Sequence, residues 1–145
     1  MIQIKKCLPE YIDRIYEIDK TSSEYNWTKE QFAAELKTDK KFNVLFANEV
    51  VVGYIIYHTV IDEAEILNIV IDNEFKGKGY GTYLLKETIE ELKKKSIKNV
   101  FLEVGEKNIV ATALYEKFKF EKYNIRKKYY KDGENAILMK KALQQ

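Results

Sequence analysis

Apolar positions change their spacing repeatedly along the chain, and each change marks an element. Residues 1–6, Met-Ile-Gln-Ile-Lys-Lys, alternate apolar and polar, the period of a half-buried strand. From there the spacing lengthens: Leu8, Ile12, Ile15 and Ile18 recur along one helical face, with Pro9 where a first turn accepts it. Thr21-Ser22-Ser23-Glu24 is expected to break that helix. Thr28 with Gln31 three residues on forms a capping box, which predicts a second helix to about Lys37 that buries Phe32 and Leu36. Two runs, Asn43–Ala47 and Val50–Thr59, flank Asn48-Glu49 and read as a hairpin. A third strand, Ala64 to Ile71, follows the turn at Asp62-Glu63. Its residues Ile66 to Ile71 are apolar on both faces apart from Asn68, the pattern of a strand covered on both sides.

Residues 72–81 carry three glycines and lead into a helix whose stripe is Leu85, Ile89 and Leu92. Lys93-Lys94-Lys95 closes it, cations near the negative end of the helix dipole, and reads as a solvated terminus. Val100–Val104 is the next strand, and Asn108 to Phe118 a short helix predicted to bury Val110, Leu114 and Phe118. Two last strands, about 119–129 and 135–141, are joined by a turn around Asp132-Gly133. The order β-α-α-β-β-β-α-β-α-β-β predicts an α/β (α+β) fold, a mixed sheet with helices on both faces. With no repeat, low-complexity tract or linker, residues 1–145 are expected to form a single domain.

Composition narrows the classes. Hydrophobic residues make up 46% and charged ones 33%, with 25 basic against 23 acidic, a globular balance that argues against a disordered tail or a nucleic-acid coat. The lone Cys7 rules out an internal disulfide and, with His58 the only histidine, leaves no ligand set for structural zinc; no metal is expected. Ser-His-Asp chemistry would have to use His58, which lies in an apolar run and reads as a packed or edge-strand residue. No stretch approaches 18 apolar residues and the first residues lack a signal-peptide pattern, so a soluble, cytoplasmic protein without a membrane partner is expected.

The strongest chemical signal is Lys76-Gly77-Lys78-Gly79-Tyr80-Gly81, between an apolar strand and a helix. Glycines let the main chain approach a ligand and adopt unusual dihedrals, and the free N–H groups of a helix start attract anions. With two lysines added, the physics points to phosphate, above all pyrophosphate; a glycine connector without a ligand is the alternative. A P-loop would need Lys-Ser/Thr after the glycines. A dinucleotide fingerprint would need G-x-G-x-x-G on an early strand, whereas the spacing here is G-x-G-x-G on the fourth.

This loop, in this order of elements, resembles the Gcn5-related N-acetyltransferase (GNAT) family. Its pyrophosphate motif, Q/R-x-x-G-x-G/A, matches Lys76 to Gly81 with lysine in the first place. The resemblance covers essentially the whole chain and is nearest the RimI-like branch, which acetylates ribosomal-protein alanine. It rests on Trp27 with Phe32 and Glu35-Leu36; Leu67 to Ile71; Leu102-Glu103-Val104 with Asn108 and Ala113-Leu114-Tyr115; and Arg126 with Tyr129-Tyr130 and Glu134-Asn135-Ala136 through Met139. Three positions depart from the pattern: Gly105 stands for arginine, Lys119 for glycine and Asn135 for aspartate. Gly105 is expected to loosen its loop, and Lys119 to pay about 1 kcal/mol in a left-handed helix cap.

The resemblance implies a mostly antiparallel sheet of about seven strands and acetyl-CoA as co-substrate. Main-chain groups of Ile69, Val70 and Ile71 would pair with the pantetheine arm and polarise the thioester carbonyl. Lys76, Gly77, Lys78, Gly79, Tyr80, Gly81 and Thr82 would hold the pyrophosphate, and Asn108 would touch the pantetheine or serve as a helix N-cap. Glu103 is the expected general base, against an ordinary surface glutamate. Tyr115 is the expected general acid, against a packed core tyrosine. Trp27, Tyr129 and Tyr130 would line an acceptor groove between the Glu24–Trp27 loop and the last turn, against a plain aromatic cluster.

The implied acceptor is a protein N-terminus, that of a ribosomal protein, with no nucleic-acid partner and a monomeric or weakly dimeric state. Freeing an α-amine at pH 7 costs ~1.1 kcal/mol against ~4.6 for lysine, which favours the α-amine without excluding lysine or a small amine. A module that binds coenzyme A without turnover is the other class of reading.

Overall fold

The computed structural model describes residues 1–23 and 26–143. Its elements follow the predicted order: β1 (Ile2–Lys6), α1 (Ile12–Ser22), α2 (Lys29–Glu35), β2 (Lys41–Ala47), β3 (Val50–Val60), β4 (Glu63–Ile71), α3 (Tyr80–Lys94), β5 (Asn99–Gly105), α4 (Ile109–Lys117), β6 (Glu121–Arg126) and β7 (Ala136–Ala142). The strands make one seven-stranded sheet in the order β1-β2-β3-β4-β5-β7-β6. β1–β2, β2–β3, β5–β7 and β6–β7 are antiparallel, while β4–β5 is parallel. Contacts group the described residues into two compact units, one within residues 1–58 with Leu67–Ile89, the other from Thr59–Ile66 with residues 90–143.

In the first unit the predicted caps and turns are present. Thr28 accepts from the Gln31 N–H while the Gln31 side chain accepts from the Thr28 N–H. Asn48 and Glu49 both adopt positive φ (51° and 69°), the handedness a two-residue hairpin turn needs. Ile12, Ile15 and Ile18 are buried with Phe32, Phe42, Val44, Tyr54 and Ile56 in one core. Leu8 departs from the predicted stripe. It precedes a 3-10 turn at Pro9–Tyr11, and that tighter turn leaves it exposed.

Two boundaries shift. α1 runs through Thr21 and Ser22, because the Thr21 hydroxyl donates back to the Glu17 carbonyl and so completes the last turn; Glu24 lies outside the described residues. α2 stops at Glu35 and leaves Leu36 half-buried.

In the second unit β5 buries Leu102 and Val104 and half-buries Glu103 between them, the predicted alternation. α4 corrects a prediction: Val110 is 81% exposed, and the buried face centres on Tyr115. Val110 lies in the first turn, five positions before Tyr115, which turns it roughly 140° round the helix from that residue. β6 is shorter than predicted, ending at Arg126, so Tyr129 and Tyr130 stand in a loop closed by Gly133 at φ 83°. Lys119 takes the left-handed conformation foreseen for it, φ 69°.

Candidate active site

β4 changes character along its length. Its parallel ladder with β5 registers four pairs, Glu63↔Asn99 to Ile66↔Leu102. Beyond them Leu67 is 37% exposed and Asn68 to Ile71 are half-buried, so the strand is not covered on both faces as its pattern predicted. Gly53 of β3 explains how this stretch sits so close. A Cβ there would meet the Val70 carbonyl oxygen at 2.7 Å and the Ile71 side chain at 2.6 Å, and only glycine leaves room. After β4, Asp72 is buried, its N–H donating to the Val52 carbonyl and its carboxylate paired with Arg14. That pair fixes where the glycine loop begins.

The loop has the predicted form. Gly77 and Gly79 hold φ of 80° and 84°, and nothing lies within 4 Å of where their Cβ atoms would be. The Tyr83 N–H donating to the Gly79 carbonyl starts the helical ladder, which leaves the N–H groups of Tyr80, Gly81 and Thr82 as donors at the positive end of α3. Lys76 and Lys78 are exposed beside them, and the Tyr80 ring packs on Phe75 at 6.4 Å.

Trp27, the predicted acceptor contact in this unit, is half-buried. Its ring lies 5.3 Å from Phe32, and its N–H donates to Asp19 Oδ2 at 2.9 Å. His58 is half-buried, 3.2 Å from Asp39 Oδ1.

In the second unit Glu103, Arg126, Tyr129 and Tyr130 form a continuous chain of contacts. Glu103 Oε1 lies 3.0 Å from the Arg126 guanidinium, whose carbon sits 5.2 Å over the Tyr129 ring. Tyr129 meets Tyr130 edge-on at 5.2 Å. Burial holds the Glu103 carboxyl above the usual glutamate range; Arg126 opposes that rise, while Glu65 adds to it. Tyr115 is buried against Phe120, ring centroids 5.9 Å apart, and burial, with Tyr130 nearby, pushes its phenol well above the ordinary value. Asn108 caps α4, its Oδ1 accepting from the Ala111 N–H at 3.1 Å.

Gly105 does not loosen its loop. The buried Glu134 carboxylate fills the space its side chain would take, 2.8 Å from the Cβ position, and accepts from the Lys107 N–H. The Glu106 N–H donates to the Asn135 carbonyl. Asn135 also uses both ends of its amide: Oδ1 accepts from Lys128 N–H at 2.9 Å and Nδ2 donates to Glu106 at 3.3 Å. Aspartate could not make that second bond.

Two features had weak sequence signals. Arg126 was visible only as part of a motif, because nothing in the spacing of residues 103 and 126 says that they meet. Asp19, fully buried at the end of α1, could have been noticed as an acid directly after the apolar stripe.

The GNAT family profile (Acetyltransferase (GNAT) family) matches residues 12–120, well over half of the chain. The chain belongs to the GNAT family. A [ribosomal protein bS18]-alanine N-acetyltransferase of Haemophilus influenzae is 36% identical over 144 residues, covering 94% of each chain. Among solved GNAT-like structures, the ribosomal-protein-S18-alanine N-acetyltransferase of Escherichia coli superposes with a TM-score of 0.92 at 30% identity, over 100% of this chain and 96% of that one. Ard1 of Thermoplasma volcanium superposes with a TM-score of 0.93 at 26% identity, over 99% of each chain. As a GNAT protein this chain is an N-acetyltransferase, with the seven-stranded, mostly antiparallel sheet read from its sequence. Among the described residues no helix is long and apolar enough to cross a membrane.

Proposed function

We propose that the protein transfers the acetyl group of acetyl-CoA to the α-amine of a protein N-terminus, with the N-terminal alanine of ribosomal protein bS18 as acceptor. The observation that carries this reading is the likeness, along nearly all of both chains, to the Haemophilus influenzae enzyme of that name. A cytoplasmic setting belongs to the same reading. Transfer is direct, in a ternary complex, and the donor supplies an acetyl thioester.

The chain's residues suit each task. The exposed N–H groups and positive-φ glycines of the Lys76–Thr82 loop suit a pyrophosphate. The half-buried backbone of Ile69, Val70 and Ile71 is assigned to the pantetheine arm, with an N–H on the thioester oxygen. Asn108 commits its Oδ1 to the cap of α4 and offers its Nδ2 to the same arm.

Glu103, a carboxylate with one oxygen on Arg126, takes the amine's proton through water. An α-amine costs only ~1.1 kcal/mol to free at pH 7, so this base needs no extreme pKa. Tyr115 donates a hydrogen bond to the departing sulfur. Its raised pKa makes full proton transfer to the thiolate unfavourable, so its contribution is charge stabilisation during departure. Trp27, Tyr129 and Tyr130 are assigned to the acceptor peptide.

The test is acetylation of peptides matched to the bS18 N-terminus, with the amine free or blocked and with or without an internal lysine. Acetylation of the free terminus alone is expected. Transfer only to internal lysine would overturn the α-amine reading, and coenzyme A binding without turnover on any amine would overturn the enzymatic one.

A further inference from the structure

A buried carboxylate that the chemistry above does not use lies against the backbone of Trp27. Asp19 is fully buried at the C-terminal end of α1, and three different segments converge on it. Its Oδ1 accepts from the Tyr54 hydroxyl at 2.7 Å, and its Oδ2 accepts from the Trp27 N–H at 2.9 Å. Its main-chain carbonyl accepts from the Ser23 N–H at 3.0 Å. It also accepts from Asn26 Nδ2 at 2.8 Å, once the Asn26 amide is turned so that its nitrogen faces the carbonyl. Tyr54 itself is fixed. It is fully buried on β3, its ring packs edge-on against Phe32 at 5.5 Å, and Phe42 lies 5.9 Å away.

Packing alone does not require an acid here. Burying a carboxylate is costly unless its oxygens are satisfied, and an apolar residue of similar size would serve a core better. What the carboxylate adds is direction. One oxygen is held by a rigid tyrosine, so the other presents a fixed acceptor to the Trp27 N–H. The Trp27 backbone is therefore held at one place above the core by one charge-assisted hydrogen bond. The Trp27 ring is held at the same time by Phe32. The link to the donor strand is weaker, since Asn68 Nδ2 reaches the Tyr54 hydroxyl only at 3.5 Å.

We propose that Asp19, clamped by Tyr54, is a positioning residue for the acceptor: it holds Trp27 where that residue receives the incoming peptide and leaves donor binding alone. This rests on the assignment of Trp27 to the acceptor.

The experiment compares Asp19→Ala, Asp19→Asn, Tyr54→Phe and Trp27→Ala by steady-state kinetics with a bS18-terminus peptide. Calorimetry with coenzyme A and thermal melting accompany each variant. Loss of the charge-assisted bond in Asp19→Ala is expected to raise the peptide KM about tenfold or more, while the acetyl-CoA KM stays within about twofold. Asp19→Asn keeps an oxygen for the Trp27 N–H and is expected to recover the peptide KM to within about threefold. A general loss of structure would move both KM values together and would not be rescued in this way. If Asp19→Ala does not fold, Tyr54→Phe decides, with an expected rise in peptide KM of about threefold or more and no change in coenzyme A affinity. The proposal is overturned alone if Trp27→Ala raises the peptide KM and neither Asp19→Ala nor Tyr54→Phe does. An unchanged peptide KM in Trp27→Ala would remove Trp27 from the acceptor site and take this proposal with it.

Discussion

Replacing Tyr115 by phenylalanine isolates one hydroxyl. The ring that packs 5.9 Å from Phe120 stays, the side chain is buried, and no volume is lost, so stability should hardly change. The chemistry should change. A phenol near 10 facing a thiol near 8.5 is already ~1.5 units, or ~2 kcal/mol, too weak an acid to protonate the leaving sulfur fully. Burial raises Tyr115 further, so in the proposed mechanism its hydroxyl contributes by donating a hydrogen bond to sulfur as negative charge develops there. A hydrogen bond to a charged group is worth about 1.5–3 kcal/mol. Losing it only in the transition state lowers kcat by roughly 10- to 150-fold with coenzyme A affinity unchanged. Initial rates at saturating peptide and varied acetyl-CoA give kcat, and calorimetry with coenzyme A gives Kd. A kcat within threefold of the parent enzyme, or a Kd that weakens as much as kcat falls, refutes the assignment. Any falling limb of the wild-type kcat that comes from this residue should lie above the range of an ordinary tyrosine, because burial raises its phenol.

Three further outcomes follow from the geometry. The base proposed for Glu103 must be a carboxylate to act, so activity is expected to fall as pH drops through its raised pKa. Arg126→Leu removes the charge that opposes that rise, so the acid limb of the kcat/KM profile should move to higher pH, and an unmoved limb would remove Arg126 from control of the base. Gly53→Ala drives a methyl into the Val70 carbonyl and the Ile71 side chain; a shifted β4 should weaken coenzyme A binding, with a stability cost of about 1–3 kcal/mol, read by calorimetry and thermal melting. Lys119→Gly relieves a side chain held at φ 69° and should stabilise the protein by about 1 kcal/mol in urea unfolding without altering kcat.

Elements whose signal is local were legible in the chain. The Thr28–Gln31 capping box, the Asn48-Glu49 turn, the glycine loop and the alternation of Glu103 with Leu102 and Val104 each depend on a few neighbouring residues and on a period of 2 or 3.6. So does the left-handed Lys119, which follows from its place after a short helix. The misread parts depend on what lies across space. Val110 fits a helical stripe, yet the face of α4 that becomes buried is chosen by where the Tyr115 ring packs. Leu67 to Ile71 have the pattern of a fully covered strand, yet the ladder with β5 ends at Ile66. The effect of Gly105 was inverted, because the carboxylate that fills its space comes from Glu134, far along the chain.

The same division governs the chemistry. Side-chain type and order along the chain sufficed to place a glycine loop at a helix start, a carboxylate on a strand and a tyrosine on the following helix. Their working properties arise only from folding, since a pKa depends on burial and on charges that approach through space. Arg126 lies 3.0 Å from Glu103 because β7 pairs with both β5 and β6. Asp19 holds Trp27 because the end of α1 packs against both Trp27 and Tyr54 of β3, whose groups each donate to its carboxylate. Sequence spacing carries the periodicity of single elements; distances between elements are set by which faces pack together, and that is decided by the fold as a whole.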